Sequence, residues 1–230
     1  MIVAIHQPNY LPWLGYFAKI AQADIFVFLD DVQFSKNSYT NRVQILNGDQ
    51  RRWLTVPVSV KFGDAIDEVI PAKSSWTNSH RDSLANFYRG MPAFRAVWPD
   101  IVDLYDGAPQ GDIAAINVYL IKTVAGYLDL PIKPVLSSAL DTGSATGDAR
   151  LARIVDEVAP SGTYLSGTGG QNYQTEATFE ARDISLRFSR FEHPIYKQEH
   201  GKFESGLSVL DVVFRQGWSA ARDLIMASIK

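Results

Sequence analysis

A strand, a helix and a second strand fill the first thirty residues of the chain, and this arrangement constrains the fold more than any other feature. The apolar run at residues 2–5 predicts a buried strand. A helix follows over about residues 12–22, with Pro12 in its first turn and apolar side chains on one broad face. A second apolar run at residues 25–29 ends at the doublet Asp30 and Asp31. This order is typical of a βαβ unit.

Such a unit determines where the polar side chains after its two strands lie. Crossovers of this kind are nearly always right-handed and make the two strands parallel. Both carboxyl ends then lie at one edge of the sheet, where open α/β sheets bind ligands. We therefore expect the residues that follow the two strands to share one crevice. The candidate catalytic residues are His6, Asp30 and Asp31, and the candidate substrate-binding residues are Gln7, Asn9 and Tyr10.

The aspartate doublet is expected to divide its roles. Two adjacent carboxylates alternate faces if the strand continues, so one would enter the crevice while the other caps a turn or pairs with a base. His6 with one aspartate lacks the spacing that is diagnostic of a metal site, and no metal ligands are predicted. A lone histidine is also often structural, which is the alternative for His6.

The rest of the chain predicts further strands and helices around this unit. Alternating runs at residues 43–46 and 53–58 flank the turn Asn47-Gly48-Asp49 and predict a β-hairpin. Apolar spacing predicts helices over about residues 78–88, 112–128, 147–158 and 207–215, the second with Asp112 as N-cap and the last with Gly217 near its end. Strands are predicted at residues 163–165 and 184–188.

The predicted fold class is therefore α/β. A mostly parallel sheet starts with the βαβ unit and is flanked by helices, with an inserted β-hairpin and a helical middle segment. We expect one domain over residues 1–230, within which about residues 76–160 are an alternative helical subdomain.

Composition narrows the class of partner. The 22 basic and 25 acidic residues give a formal charge of -3, without the basic excess that a nucleic-acid backbone attracts. The chain has no cysteine, which excludes a cysteine nucleophile and thiolate metal sites. No run is apolar enough to span a bilayer, and no secretory signal starts the chain. We expect a cytoplasmic protein that acts on a small-molecule or carrier-linked substrate.

The loop "QFSKNSYTNR" at residues 33–42 follows the aspartate doublet directly. Its two basic side chains among small hydrogen-bonding residues suit recognition of a phosphate or a carboxylate. The candidate substrate-binding residues are Lys36, Asn37, Asn41 and Arg42. The alternative is a solvated loop with ordinary surface charges.

The glycine-rich stretch "YLSGTGGQNY" at residues 164–173 follows a predicted strand. Glycines in this position let backbone N–H groups approach an anion closely. Neither a P-loop lysine nor the full dinucleotide fingerprint is present. The candidate binding residues are Ser166, Gly167, Gly169, Gly170 and Tyr173, and a turn with positive φ is the alternative.

The polar stretch at residues 190–203 supplies further candidates. Proline at position 194 forces His193 into an extended conformation, in a segment too polar for a core strand. His193 is a candidate catalytic base, and Tyr196 and Gln198 are candidate binding residues. The alternative is a segment that runs across the protein surface without a role in binding. His200 beside Gly201 is typical of a loop.

Trp76 and His80 are candidate binding residues because they lie four positions apart, which places them on one face of a helix if the helix includes both.

These stretches together resemble the WbqC-like protein family. The resemblance rests on "HQPNYLPWLGYFAKIAQADIFVFLDDVQFSKNSYTNR", "WLTVPV", "YLSGTGGQNY" and "HPIYKQEHGKFESGLSVLDVVFRQG", and residues 61–150 match only loosely. The family is associated with bacterial surface-polysaccharide and O-antigen gene clusters, and a member has been proposed as a glycine transferase. The resemblance implies an enzyme that joins a glycine-like aminoacyl unit to an amino group of a nucleotide-linked or carrier-linked sugar.

Two alternatives stand beside this function. The early segment is also similar to nucleotidyltransferases with a HIGH-type histidine after the first strand, although the second histidine of that motif is replaced by Pro-Asn-Tyr. That similarity implies an ATP-dependent ligase, for which ATP and Mg²⁺ would be the cofactors; otherwise the sequence identifies no cofactor. A non-catalytic module that binds sugar or a partner enzyme through Trp13, Tyr16 and Trp76 is the other alternative.

Overall fold

The computed structural model describes residues 1–198 and 201–230, so the predicted loop position of His200 lies outside the described residues. The strands are β1 Ile2–His6, β2 Ile25–Phe28, β3 Arg42–Asn47, β4 Gln50–Thr55, β5 Val58–Ser59, β6 Ile70–Pro71, β7 Pro134–Leu136, β8 Thr163–Ser166 and β9 Ser185–Phe188. The α-helices are α1 Leu14–Ala21, α2 Trp76–Tyr88, α3 Phe94–Asp106, α4 Ile113–Tyr127, α5 Gly147–Val158, α6 Glu176–Glu180 and α7 Val209–Ala227. Short 3-10 turns cover Ile66–Glu68, Ser137–Ala139 and Thr168–Asn172.

A five-stranded sheet with the order β7-β2-β1-β8-β9 forms the centre of the molecule, and every strand pair in it is parallel. The predicted βαβ unit is confirmed, with Val3 opposite Ile25 and His6 opposite Phe28. The sheet grows first from β1 through β2 to β7 and then resumes on the other side of β1 with β8 and β9. The strand order therefore reverses between β1 and β8, and ligands of open α/β sheets bind at such a reversal.

The two faces of this sheet pack against different helices. Ala4, Phe26 and Leu165 point to one face and belong to a large apolar cluster with buried residues of α1, α2, α3, α4 and α7. Val3 and Val27 point to the opposite face and pack on α5 and α6. Because adjacent residues of a strand alternate faces, a sheet that is covered on both sides needs the continuous apolar runs seen in β1 and β2. The α/β fold class with flanking helices is confirmed.

Several predicted elements form at or near their expected bounds. Helix α4 starts after Asp112, whose carboxylate accepts a hydrogen bond from the Ala115 N–H at 2.8 Å, as expected of an N-cap. Helix α5 covers the predicted residues 147–158. The hairpin of β3 and β4 turns at Gly48, which has a positive φ of 63°. The predicted second strand of this hairpin ends at Thr55, and Val58–Ser59 pairs instead with β6.

Helix α3 and strand β7 were not predicted, and neither were the short elements β6 and α6. Helix α3 contains Pro99, a residue that removes a hydrogen bond from a helix interior. The helix forms because Phe94, Val97, Ile101 and Leu104 bury one apolar stripe. Strand β7 has three residues and starts with a proline, which an edge strand tolerates in that position.

The last helix is longer than predicted. Gly217 was expected near its end, and this glycine does leave the helical conformation, with φ 84° and ψ 173°. The chain then resumes helical geometry and continues to Ala227. After the helix, Ile229 forms a bridge with Phe191, and the Lys230 N–H donates to the Arg190 carbonyl at 3.3 Å. The final residues therefore hold the segment that follows β9.

No helix in the described part of the chain has the length and apolar character needed to cross a membrane.

Candidate functional site

His6 is the last residue of β1, and its ring lies against the ring of Tyr16 with 4.7 Å between centroids. Its Nδ1 is 3.0 Å from the Gln7 carbonyl oxygen. A carbonyl oxygen can only accept, so Nδ1 carries the proton of the neutral imidazole and Nε2 keeps its lone pair. Burial, together with the positive charge of Lys19, lowers the pKa of His6 to about 4. The imidazole is therefore uncharged at neutral pH.

Lys19 lies on α1 with only 5% of its surface exposed. Its Nζ donates a hydrogen bond to the Ile5 carbonyl oxygen at 2.8 Å. Within residues 1–198 and 201–230, no carboxylate lies within ion-pair distance of this ammonium group. Burial lowers the pKa of Lys19 to about 7. A buried cation without an anionic partner is costly to a fold and marks a candidate functional group.

His6 and Lys19 line a common cavity of about 70 Å³, which we call the small cavity. The cavity lies at the reversal of strand order, because its lining residues end β1, follow β8 and β9, or belong to α1 and the residue before it. They are His6, Trp13, Gly15, Tyr16, Lys19, Gly167, Thr168, Ser189 and Phe191. A Cβ on Gly15 would lie 2.4 Å from the Trp13 ring, so glycine is required for the indole to form this wall.

Asp30 and Asp31 follow β2 and take different partners. Asp30 is 3% exposed and accepts hydrogen bonds from the Ser138 N–H at 3.0 Å and the Ser138 hydroxyl at 2.7 Å. Asp31 forms an ion pair with Arg150 of α5. The hydroxyl of Ser137 is within hydrogen-bond distance of both carboxylates. One aspartate thus pairs with a base, and the other lines a cavity.

That cavity has a volume of about 720 Å³ and is called here the larger cavity. It lies at the carboxyl ends of β2 and β7 against α4, and its lining includes Asp30, Asp67, Asp112 and Lys122. Burial and the neighbouring charge of Asp30 raise the pKa of Asp67. The larger cavity falls in the size range of small-molecule sites, and three carboxylates against one ammonium give it an acidic lining.

The structure brings His6 and Asp30 to the ends of neighbouring strands. The Leu29 N–H donates to the His6 carbonyl at 2.9 Å, so the chain leaves both strands side by side. Their side chains, however, line different cavities: His6 the small cavity and Asp30 the larger one. Together the two cavities extend along the carboxyl edge of all five strands of the sheet.

The polar loop at residues 33–42 lies beside the β-hairpin. Arg42 donates to the Asn37 carbonyl and stacks over Trp53, with 4.0 Å from its guanidinium carbon to the ring centroid. Asn41 is buried and donates to the Val56 carbonyl at 3.0 Å, while Lys36 is exposed. None of these side chains lines the small or the larger cavity.

Tyr10, His80 and Trp76 lie in the core. The Tyr10 hydroxyl is 2.7 Å from both the His80 Nδ1 and the Tyr105 hydroxyl, and the His80 Nε2 donates to the Thr55 carbonyl at 2.9 Å. Both imidazole nitrogens are therefore occupied, and burial lowers the pKa of His80 to about 4. Trp76 packs edge-on against these rings and borders a third cavity of about 410 Å³.

The main chain occupies both imidazole nitrogens of His193. Its Nδ1 is 3.1 Å from the Pro194 carbonyl oxygen, and its Nε2 accepts from the Gly206 N–H at 3.0 Å. The Tyr196 hydroxyl donates to Asp211 at 2.8 Å inside the core. Gln198 bonds with both its oxygen and its nitrogen to the backbone of Glu204. These contacts fix the segment that follows Phe191, which lies in the wall of the small cavity.

The glycine-rich stretch divides between the site and the surface. Gly167 lines the small cavity, and the buried Ser166 precedes it at the end of β8. Gly170 is buried, and a Cβ there would lie 2.4 Å from the Ser166 hydroxyl oxygen. Gly169 is exposed with open space around it, and Tyr173 is 72% exposed.

The remaining two candidates, Gln7 and Asn9, lie in the segment that follows β1 and line neither of the two cavities. The Gln7 carbonyl accepts from the Tyr16 hydroxyl at 3.0 Å, and Asn9 is buried. Sequence reasoning missed Lys19, Ser137, Ser138 and Arg150. A signal existed for Lys19 alone: it is the single charged residue in the otherwise apolar helix "LGYFAKIA".

Comparisons with known proteins show one matching protein family and one relative that is similar over almost the whole chain. A family model described as the WbqC-like protein family matches residues 7–223. A protein of Mycobacterium tuberculosis, "Uncharacterized protein Rv1507c", is 32% identical over 224 residues, which is 95% of this chain and 95% of that protein. No solved structure matches significantly.

Proposed function

Because the chain belongs to the WbqC-like protein family, whose membership suggests a role in polysaccharide-related biosynthesis, we propose that it is an acyl transferase of that biosynthesis. It joins a glycine-like aminoacyl unit to an amino group of a nucleotide-linked or carrier-linked sugar. The observation that carries this proposal is the uncharged His6, whose Nε2 has no hydrogen-bond partner among the described residues, in a cavity at the reversal of strand order.

His6 is the proposed general base. Acyl transfer to an amine requires that the attacking nitrogen lose a proton, and a neutral imidazole can accept it. The amine nitrogen forms a bond to the acyl carbon, the bond from that carbon to the donor's leaving group breaks, and the amine proton passes to Nε2. The hydrogen bond from Nδ1 to the Gln7 carbonyl orients the ring for this step.

The larger cavity is the proposed site of the acceptor sugar. Its volume of about 720 Å³ accommodates a sugar, and its carboxylates at Asp30, Asp67 and Asp112 can accept hydrogen bonds from an amino group. The acceptor reacts as the free amine, so that one proton is left for Nε2 to accept. Hydrogen bonds from Ser138 and the Ser137 hydroxyl hold Asp30 in a fixed orientation. The acceptor's amine would then approach the strand ends from the β2 side, while the donor's acyl group lies on the β8 side.

Ligand-dependent stabilisation tests this proposal first. Nucleotides, nucleotide sugars, amino acids and acyl carriers are screened for their effect on thermal unfolding, because a ligand at 100 times its dissociation constant stabilises the fold by about 2.7 kcal/mol. Stabilising donor and acceptor pairs are then incubated together, and mass spectrometry detects transfer of an aminoacyl unit.

His6→Gln provides the decisive variant. It should retain stabilisation by the ligands and lose about 10²- to 10⁴-fold in turnover, because a general base contributes that much. Retained ligand stabilisation serves as the control for folding. An unchanged turnover in His6→Gln would remove His6 from the reaction, and a panel without any stabilising ligand would contradict the transferase and favour a non-catalytic module.

A second candidate function is an ATP-dependent ligase that activates the acid as an adenylate. The specific observation in its favour is the strand order, in which the reversal between β1 and β8 provides the crevice that nucleotides occupy in sheets of this topology. Dependence of product formation on ATP and Mg²⁺, with release of pyrophosphate, separates the ligase from the transferase.

A further inference from the structure

We infer that the small cavity is an oxyanion subsite in which Lys19 binds a carboxylate or phosphate group of a substrate. This inference rests on the proposed function in one respect: it names a substrate group for the cavity that also holds His6. The geometry points to it through a buried cation, a cavity of matching size and a further hydrogen-bond donor, the Ser189 hydroxyl, in the lining of that cavity.

The first argument is the unbalanced charge of Lys19. Lys19 is a residue that is only 5% exposed, and within the described residues its ammonium group makes one hydrogen bond, to the Ile5 carbonyl, which uses one of three N–H donors. Buried charges in proteins are normally paired or bound to a ligand. Since the described residues place no carboxylate beside Lys19, an anion from outside the chain would supply the missing partner.

The second argument is the size and lining of the small cavity. Its volume of about 70 Å³ corresponds to about two water molecules at roughly 30 Å³ each. That space fits one carboxylate or phosphate group and is too small for a whole sugar. The buried Ser189 accepts a hydrogen bond from the Gln22 side chain at 3.2 Å, so its own hydroxyl proton remains available to a bound oxygen atom.

The third argument is the coupling between Lys19 and His6. The positive charge of Lys19 is one of the causes that lower the pKa of His6. An oxyanion bound at Lys19 would offset this charge and raise the pKa of His6 towards its ordinary value. A substrate group in the small cavity would thereby make His6 a stronger base, so binding and base strength would increase together.

Isothermal titration calorimetry of the full chain tests the inference with two probes, inorganic phosphate and acetate. The wild type should bind one of them, and Lys19→Met should bind it at least tenfold more weakly. Lys73→Met, which removes an exposed lysine elsewhere on the surface, is the matched control and should bind as the wild type does. Binding of phosphate alone assigns the group to a phosphate, and binding of acetate alone assigns it to a carboxylate.

A second measurement needs no variant at Lys19. The His6 imidazole resonance, assigned by its loss in His6→Gln, is followed by NMR across a pH titration with and without the bound probe. The apparent pKa of His6 should rise when the probe is present. A purely structural lysine would leave this value unchanged.

The inference is overturned if neither probe binds the wild type, or if Lys19→Met binds as tightly as the wild type. It is equally overturned if the His6 titration does not move. These readouts involve no transfer reaction, so anion binding with no detectable transfer would count against the proposed function alone, and transfer without anion binding would count against this inference alone.

Discussion

Replacement of Lys19 by methionine should stabilise the protein below pH 7, although it removes a hydrogen bond. Burial holds the pKa of Lys19 at about 7 instead of the ordinary 10.5. Each pKa unit corresponds to about 1.4 kcal/mol, so the buried charge costs the fold about 5 kcal/mol at pH 6. Loss of the hydrogen bond to the Ile5 carbonyl costs about 1–3 kcal/mol. Lys19→Met should therefore be about 2–4 kcal/mol more stable than the wild type at pH 6.

The sign of this difference depends on pH. Between about pH 7 and 10.5 the unfolded chain binds a proton at Lys19 that the folded chain does not, so the wild type gains stability as the pH rises through this window. The methionine variant lacks this gain. At pH 9.5 the buried charge still costs the wild type about 1.4 kcal/mol, so Lys19→Met should lie between about 0.5 kcal/mol more stable and about 1.5 kcal/mol less stable than the wild type.

Urea denaturation at pH 6, 7.5 and 9.5, monitored by tryptophan fluorescence, measures these differences. Lys73→Met is the control, because an exposed lysine makes no comparable contribution at any of the three pH values. If Lys19→Met is less stable than the wild type by the same amount at every pH, then Lys19 has a favourable partner in the fold, and the reasoning from burial is refuted.

Two further substitutions test the core and the glycine-rich stretch. Asp211→Asn removes the carboxylate that pairs with the buried Arg215, and urea denaturation should show a loss of about 3–5 kcal/mol in the free energy of unfolding. A loss below about 1 kcal/mol would mean that this ion pair does not stabilise the fold. Gly170→Ala places a methyl group against the Ser166 hydroxyl and should cost about 1–3 kcal/mol. Gly169→Ala, with open space around its Cβ, should leave the unfolding midpoint within error, and equal effects of the two changes would contradict the described packing.

The elements that the sequence predicted well are those in which local pattern and final environment agree. Residues 2–5 and 25–29 are continuous apolar runs because both faces of their strands are covered by helices. Helix α4 has a clear N-cap in Asp112 and an apolar stripe of helical spacing. In these segments the local preference and the tertiary packing favour the same structure.

Elements that depend on distant packing were not predictable. The sequence of residues 163–166 does not indicate that this strand pairs with β1. That pairing nevertheless creates the reversal of strand order. Strand β7 is too short for a periodic signal, and Pro99 argues locally against a helix that the core nevertheless stabilises. The break at Gly217 resembles a helix end because the glycine conformation is the same in both cases, and only the packing of the residues after it shows that the helix resumes.

The position of the candidate site in the fold could be predicted from the sequence, but only some of the residues that line it could be. Strand topology brought His6 and Asp30 to neighbouring strand ends, as the βαβ pattern predicts. Which cavity each side chain enters depends on the path of the chain after its strand, and residue spacing does not encode that path. Lys19 was not predicted as a site residue because a lysine on a short helix normally points to solvent. In the structure, however, α1 is buried on almost all sides.

The break at Gly217 divides the last helix into two segments. The second segment leads to Ile229, which bridges to Phe191 in the wall of the small cavity. A local opening of these final turns would carry Phe191 away from Trp13, against which its ring now packs, and leave the parallel sheet undisturbed. Access of a ligand to the small cavity would then depend on the residues after Gly217, and not on any movement of the strands that hold His6.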